Sequence, residues 1–390
     1  MFWQLIETME TTASRDAQSK SKQPSFLRRY ITMFSRKSNL FIVCIMLIVI
    51  GLVQQVTAVE MEAGTWTQKA DMPTARDNAG FAVVDGKIYV IGGLSSRRER
   101  IAVVEEYDPA TDTWMTRADM PNPRASHVAA AVDGVIYAIG GWGLGEPDLS
   151  TVEAYDLATD TWTTKADMPT ARALSDIAVV DGQIYVIGGV AGETVQENRA
   201  LSTVEAYDPA TDTWTKKADM PTARLDLAAC VVDGRIYATG GFPLWPEDAA
   251  EDALSTVEVY DPATDTWTQA PDMPRARFTH SASVVAGKLY IIGGVGDPAH
   301  ARGRKGYSTV DVYDLATDTW TTAADYPTAS CKFATGVVEG KIYIIGGWYG
   351  AGAILSTVEE FDPGLPGDIS SVSPAGKLLE TWGQIKKEVK

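Results

Sequence analysis

The chain has 390 residues and carries 51 acidic against 34 basic side chains, a net charge of −17 at pH 7. So acidic a body is poorly suited to nucleic acid or to anionic membrane surfaces, and solubility is the plainest role of the charge. Three histidines and three cysteines leave little material for a metal centre or a disulfide framework.

Residues 1–58 read as a targeting segment. Arg36 and Lys37 precede the uncharged apolar run Leu40–Val53, and the small-residue exit Val56-Thr57-Ala58 follows it. The run is 14 residues long, short of the roughly 20 a helix needs to cross a bilayer core. Charged, apolar and cleavage regions in that order predict a secretory signal peptide cut after Ala58, so the body is expected to be exported, periplasmic or extracellular. The alternative is an uncleaved anchor at residues 40–58, kept open by the 32 residues ahead of Met33. Charge divides at the same point: residues 1–58 hold 7 basic and 3 acidic side chains, so the remainder holds 27 and 48, net −21.

Beyond this segment one stretch is rewritten six times, most legibly at Ser202 to Arg224, STVEAYDPATDTWTKKADMPTAR. Its tryptophans are Trp66, Trp114, Trp162, Trp214, Trp267 and Trp320, spaced 48, 48, 52, 53 and 53 residues apart. A period near 50 marks a solenoid or a propeller. A second piece, as in VVDGQIYVIGG over Val179 to Gly189, alternates with the first. Its β-branched and aromatic runs flank Asp181-Gly182, which supplies the positive φ of a tight hairpin turn. TVEAYD is a third strand closed by Asp208-Pro209, and TWTKKAD returns as a fourth.

A four-stranded unit repeated six times buries its faces only against its neighbours, and a ring of such units closes into a β-propeller. The paired glycines, the Tyr-Asp and Trp of YDPATDTW and the following MPTAR resemble kelch repeats, over roughly residues 64 to 363. The expectation is an all-β, six-bladed propeller over residues 59–363, followed by a tail over 364–390. Gly64 to Pro73 is a fourth strand with no first three, and the last unit from Cys331 to Pro363 lacks a fourth. The N-terminal strand is therefore expected to complete the last blade and remove the exposed edges. Cys230 and Cys331 are expected in first strands of different blades, too far apart to bridge.

Chemistry is expected on the face that carries the loops between second and third strands, because these vary while the repeat does not. They run Leu94–Arg100, Trp142–Leu149, Val190–Leu201, Phe242–Leu254, Val295–Tyr307 and Trp348–Leu355. Their aromatics and cations make Trp142, Trp245, Trp348, Tyr349, Tyr307, Arg97, Arg98 and Arg302 the candidate ligand-binding residues, suited to stacking on sugar rings or anchoring a peptide. The expected partner is a glycan or an extracellular protein, held by a monomer without a cofactor.

Arg76, Arg124, Arg172, Arg224 and Arg277 recur at one place, with Ser330 in the last copy. Their sameness favours a scaffold contact over a ring of ligand-binding guanidiniums. His127 and His280 fall in opposite blades, without the close cluster that a metal requires. The resemblance also implies an enzymatic alternative, since six-bladed kelch proteins include a periplasmic sialic acid epimerase. Proton transfer and carboxylate binding would then fall to Glu193, Glu197 and Arg199. The copper oxidases of this fold need a histidine, tyrosine and crosslinked cysteine set that this sequence does not supply.

Overall fold

The computed structural model describes residues 64–144, 148–192, 199–243, 253–296, 306–350 and 352–364. Over them the repeats form six four-stranded antiparallel sheets, and the described residues contain no helix. Blade 1 takes Gly80–Val84, Lys87–Ile91, Val104–Asp108 and Thr113–Arg117 in that order. Blades 2 to 6 begin at Val128–Val132, Asp176–Val180, Ala228–Val232, Ser281–Val285 and Ala334–Val338. Each of these first strands touches the first strands of both neighbours, and the last meets the first, so the sheets close into a six-bladed propeller with these strands innermost. The hairpin at Asp181-Gly182 has φ of 50° and 77°, as its turn type demands.

The repeated tyrosine, aspartate and tryptophan sew blades 1 to 4 each to the one before, and blades 5 and 6 keep the tryptophan bond, to Pro271 and Ala324. In blade 1 the Tyr107 hydroxyl donates to Asp112 at 2.7 Å, and the same carboxylate oxygen accepts the backbone N–H of Ala70 at 2.9 Å. The Trp114 indole N–H returns to the Ala70 carbonyl at 2.9 Å. Tyr207, Asp212 and Trp214 repeat this set against Ala166. Polar groups that would otherwise cost free energy on burial thus satisfy one another across the seam.

The ring closes as expected. Thr65–Lys69 runs antiparallel to Val358–Asp362, from Thr65 opposite Asp362 to Lys69 opposite Val358. Trp66 lies 4.9 Å from the Phe361 ring and 5.1 Å from Tyr326, and its indole donates to the Ala324 carbonyl at 3.0 Å. Cys230 sits in a first strand as expected. Cys331 does not: it precedes Ala334–Val338, in the connection between blades 5 and 6, where it bridges Trp348. Both thiols are buried and free. The expected signal or anchor over 1–58 lies outside the described residues, as does the tail beyond Gly364.

Candidate functional site

The five recurring arginines are fully buried and belong to the scaffold. Arg172 shows the pattern: one nitrogen donates to the carbonyls of Gly188 (3.0 Å) and Thr203 (2.9 Å), and another to Glu205 at 2.5 Å. Arg76, Arg124 and Arg224 meet Glu105, Glu153 and Glu258 in the same way, and Arg277 meets Asp311. Burial lowers the pKa of all five, opposed by the carboxylate partner. In blade 6 the repeat is rebuilt: Tyr326 stands where the other copies have methionine, and its hydroxyl pairs with Ser330 at 2.7 Å. The remaining carboxylate, Glu359, has its pKa raised by burial, with the Thr328 and Tyr326 hydroxyls pulling the other way.

The connections that carry these arginines reach the variable-loop face, where each pairs with its own blade's loop: Asp77 opposite Leu94, Ala125 opposite Trp142, and Cys331 opposite Trp348. One residue further on, a hoop of backbone hydrogen bonds surrounds the mouth of the channel. Asn78 N–H donates to Lys332 (3.0 Å), Ser126 to Asn78 (2.8 Å), Leu174 to Ser126 (3.1 Å), Asp226 to Leu174 (2.8 Å), Thr279 to Asp226 (2.9 Å) and Lys332 to Thr279 (3.1 Å). All six have φ between 51° and 57°, a left-handed conformation that a non-glycine residue holds only when its surroundings enforce it.

Beside the hoop, between blades 5, 6 and 1, lies a cavity of about 190 Å³. Asp77, Arg98, Lys332 and Thr279 provide its polar wall, and Phe278, Val295, Cys331 and Trp348 its apolar one. Asp77 is 1% exposed; it accepts from the Asn78 amide at 3.1 Å, and Arg98 approaches it to 4.0 Å. Burial raises the Asp77 pKa, and the charges of Lys332 and Arg98 oppose that rise without cancelling it.

Two of the expected ligand-binding residues, Arg98 and Trp348, thus meet in one cavity. Arg98 is exposed, whereas Trp348 is only 8% exposed and packs in an apolar cluster with Phe278, Val295 and Cys331. Trp348 is therefore both a wall of the cavity and part of the apolar packing. Trp142 packs against the same cluster, half-buried, and its indole donates to Asp148 at 2.7 Å. The next side chain but one, Leu144, stands 65% exposed. Tyr307 covers the Arg277 guanidinium at 5.1 Å, Tyr349 is half-buried, and Arg97 and Arg199 are exposed on their loops. Trp245, Arg302, Glu193 and Glu197 lie outside the described residues. Asp77 and Lys332 escaped the sequence reading, although comparing the six copies column by column exposes both. The residue after the recurring arginine is Ala125, Ala173, Leu225, Phe278 or Cys331 in other copies, and a carboxylate only at Asp77.

The histidines fill gaps between blades. His127 packs beside Gly80, Gly92 and Gly141, and burial pushes its pKa down to about 3, with the Arg124 charge adding to the fall. His280 shares a hydrogen bond with the Thr239 hydroxyl at 2.9 Å. Among the described residues no three histidine, cysteine or acidic groups come together as a metal site. Asp176, at the start of the blade 3 inner strand, accepts the N–H of Ile177 (2.8 Å) and, across the seam, that of Ala229 in blade 4 (2.6 Å). It keeps some solvent contact but is enclosed by protein, and burial raises its pKa to about 7.

A model of the KLHDC2/KLHL20/DRC7 kelch-repeats domain matches residues 51–241 and 217–365. Kelch-like protein terF of Aspergillus terreus is 34% identical over 171 residues, covering 43% of this chain and 37% of that protein. Kelch-like protein 35 of Mus musculus is 31% identical over 168 residues, 43% of this chain and 26% of that protein. The human Kelch repeat and BTB domain-containing protein 12 is 32% identical over 189 residues, 45% and 30% of the two chains. The matches thus span well under half the length of these relatives. Among solved structures, that of YjhT superposes with a TM-score of 0.63 at 18% identity, over 74% of this chain and 96% of that one, a likeness of fold.

Proposed function

Because the chain belongs to the kelch-repeat family, we propose that it is a binding module that holds an extracellular protein on its variable-loop face. One observation carries the reading: the copies differ most, in length and composition, on that face, and there the fold leaves Leu144 exposed beside a packed Trp142. An exposed apolar side chain on a fixed base is a natural anchor for a protein surface. The recurring arginines are spent on internal carboxylates, so recognition falls to the loops and the channel mouth. Export, which the apolar run and small-residue exit ahead of Val59 support, would place that face outside the cytoplasm, where glycans compete as ligands.

The test is a screen of extracellular proteins and glycans against the wild-type chain and Leu144→Asp. Captured proteins should be lost or weakened at least about tenfold by the loop-face change, roughly 1.4 kcal/mol, with folding unaltered. A partner that ignores Leu144→Asp and Arg98→Glu but is lost on changing the opposite face, for example Asp181→Lys, refutes the assignment. Turnover of a sialic acid, abolished by Glu193→Gln or Glu197→Gln, would instead establish the isomerase alternative.

A further inference from the structure

We infer that the cavity between blades 5, 6 and 1 binds a small carboxylate that carries an apolar group, whether a free acid or the end of a peptide. The inference rests on the loop-face reading and names the chemistry of one part of it.

The internal repeat serves as the control. At the position after the recurring arginine, the other five copies carry Ala125, Ala173, Leu225, Phe278 and Cys331, so the scaffold asks for an apolar residue there. Asp77 takes that place in the connection entering blade 1, almost fully buried. At the hoop, the positions equivalent to Lys332 carry Asn78, Ser126, Leu174, Asp226 and Thr279, and none of these is basic. The two departures fall in adjacent connections and line one cavity, and the blade 1 loop adds Arg98 to it. A buried carboxylate costs free energy that blade packing does not require here, and here Arg98 approaches it to 4.0 Å while Lys332 lines the same cavity beside an apolar wall.

Charge decides the ligand. Among the described residues the cavity is lined by two cations, Arg98 and Lys332, and one carboxylate, Asp77, so a ligand that brings a negative charge is favoured over a neutral or cationic one. Size and lining decide the rest. About 190 Å³ bounded by Phe278, Val295 and Trp348 admits a branched aliphatic or small cyclic group, with the carboxylate turned toward Arg98 and Lys332.

The experiment titrates the full chain by calorimetry with 4-methylpentanoate and its amide, and with N-acetyl-leucine and its amide. At least one acid should bind, its amide at least about tenfold more weakly, with a difference that shrinks as salt is added. Arg98→Ala and Lys332→Gln should each weaken the acid by about tenfold, and Lys216→Ala, exposed on the outer strand of blade 3, should leave it unchanged. Tighter binding of N-acetyl-leucine assigns the site to a peptide end, and tighter binding of 4-methylpentanoate to a free acid. Equal affinity for acid and amide overturns the inference, as does an acid affinity indifferent to Arg98 and Lys332, or no binding of either acid. A protein partner still held through Leu144 in that event leaves the loop-face reading standing, so the two failures are told apart.

Discussion

Replacing Arg172 with methionine tests whether the recurring arginines are structure or site. The guanidinium donates to Glu205, Gly188 and Thr203, and methionine retains most of the volume but none of these bonds. Leaving one partner of a buried ion pair alone costs about 3–5 kcal/mol. The Gly188 carbonyl loses its arginine donor, which adds about 1 kcal/mol, while the Thr203 carbonyl keeps the Gly188 N–H at 3.0 Å. The Thr170 hydroxyl still donates to Glu205 at 2.9 Å, and protonation of the carboxylate relieves part of the loss, so about 4 kcal/mol is expected in total. At about 2 °C per kcal/mol for a domain of this size, the melting temperature should fall by about 8 °C. Calorimetry and urea unfolding of Arg172→Met, Glu205→Leu and the double variant would measure it. The double variant should lose less than the sum of the singles, because it leaves no buried charge behind. A single variant within about 1 kcal/mol of the parent, or strictly additive singles, would show the pair to be dispensable to the fold and revive a ring of ligand-binding guanidiniums as the role of Arg172.

Deleting residues 59–73 removes the strand that completes blade 6, exposes the Val358–Asp362 edge and should lower the melting temperature of the whole ring; a truncated chain melting like the parent would refute the closure. Asp176 has a folded pKa of about 7 against an ordinary 3.8, so the native state binds the extra proton and stability should fall as pH rises from about 4 to 7. Asp176→Asn should flatten that fall, seen as a denaturation midpoint less dependent on pH; an unchanged profile refutes the role given to Asp176. Trp348→Ala empties a packed site and should cost about 3–5 kcal/mol, and a variant that loses ligand at unchanged stability would restore Trp348 as a free anchor. Mass spectrometry of the exported chain should find it beginning at Val59, whereas an intact Leu40–Val53 in a membrane fraction would establish the anchor.

Much of this architecture could be read from the residues because the repeat states it six times. The tyrosine, the aspartate five residues after it and the tryptophan recur where the seams are sewn alike, and the half-repeats at Gly64 and Cys331 announced the closure. The arginine column was legible for the same reason, since identity in five blades implies a shared partner. The site was less so. Trp348 looked like spare aromatic surface because its loop varies, yet its backbone pairs with Cys331 and draws the indole into the apolar cluster. Asp77 and Lys332 were missed because each lies within a few residues of conserved-looking scaffold, and only their convergence in space with Arg98 makes them a site. Asp176 likewise gains its shifted pKa from burial among apolar neighbours in the blade seam, which no spacing in the sequence records.

The hoop of hydrogen bonds around the mouth has a bearing on how such a chain diversifies. Its amides from Asn78 to Lys332 are all committed to hoop carbonyls, so the hoop offers a visiting molecule no free backbone donor and recognition there falls mainly to side chains. The backbone shape is imposed by neighbours and tolerates asparagine, serine, leucine, aspartate, threonine and lysine in turn. Six separately editable positions therefore surround one opening, and exchanging any of them alters what is recognised without rewriting the frame. Descendants of one ancestral ring could acquire unrelated ligands by point changes there, while the sewing between blades stayed fixed.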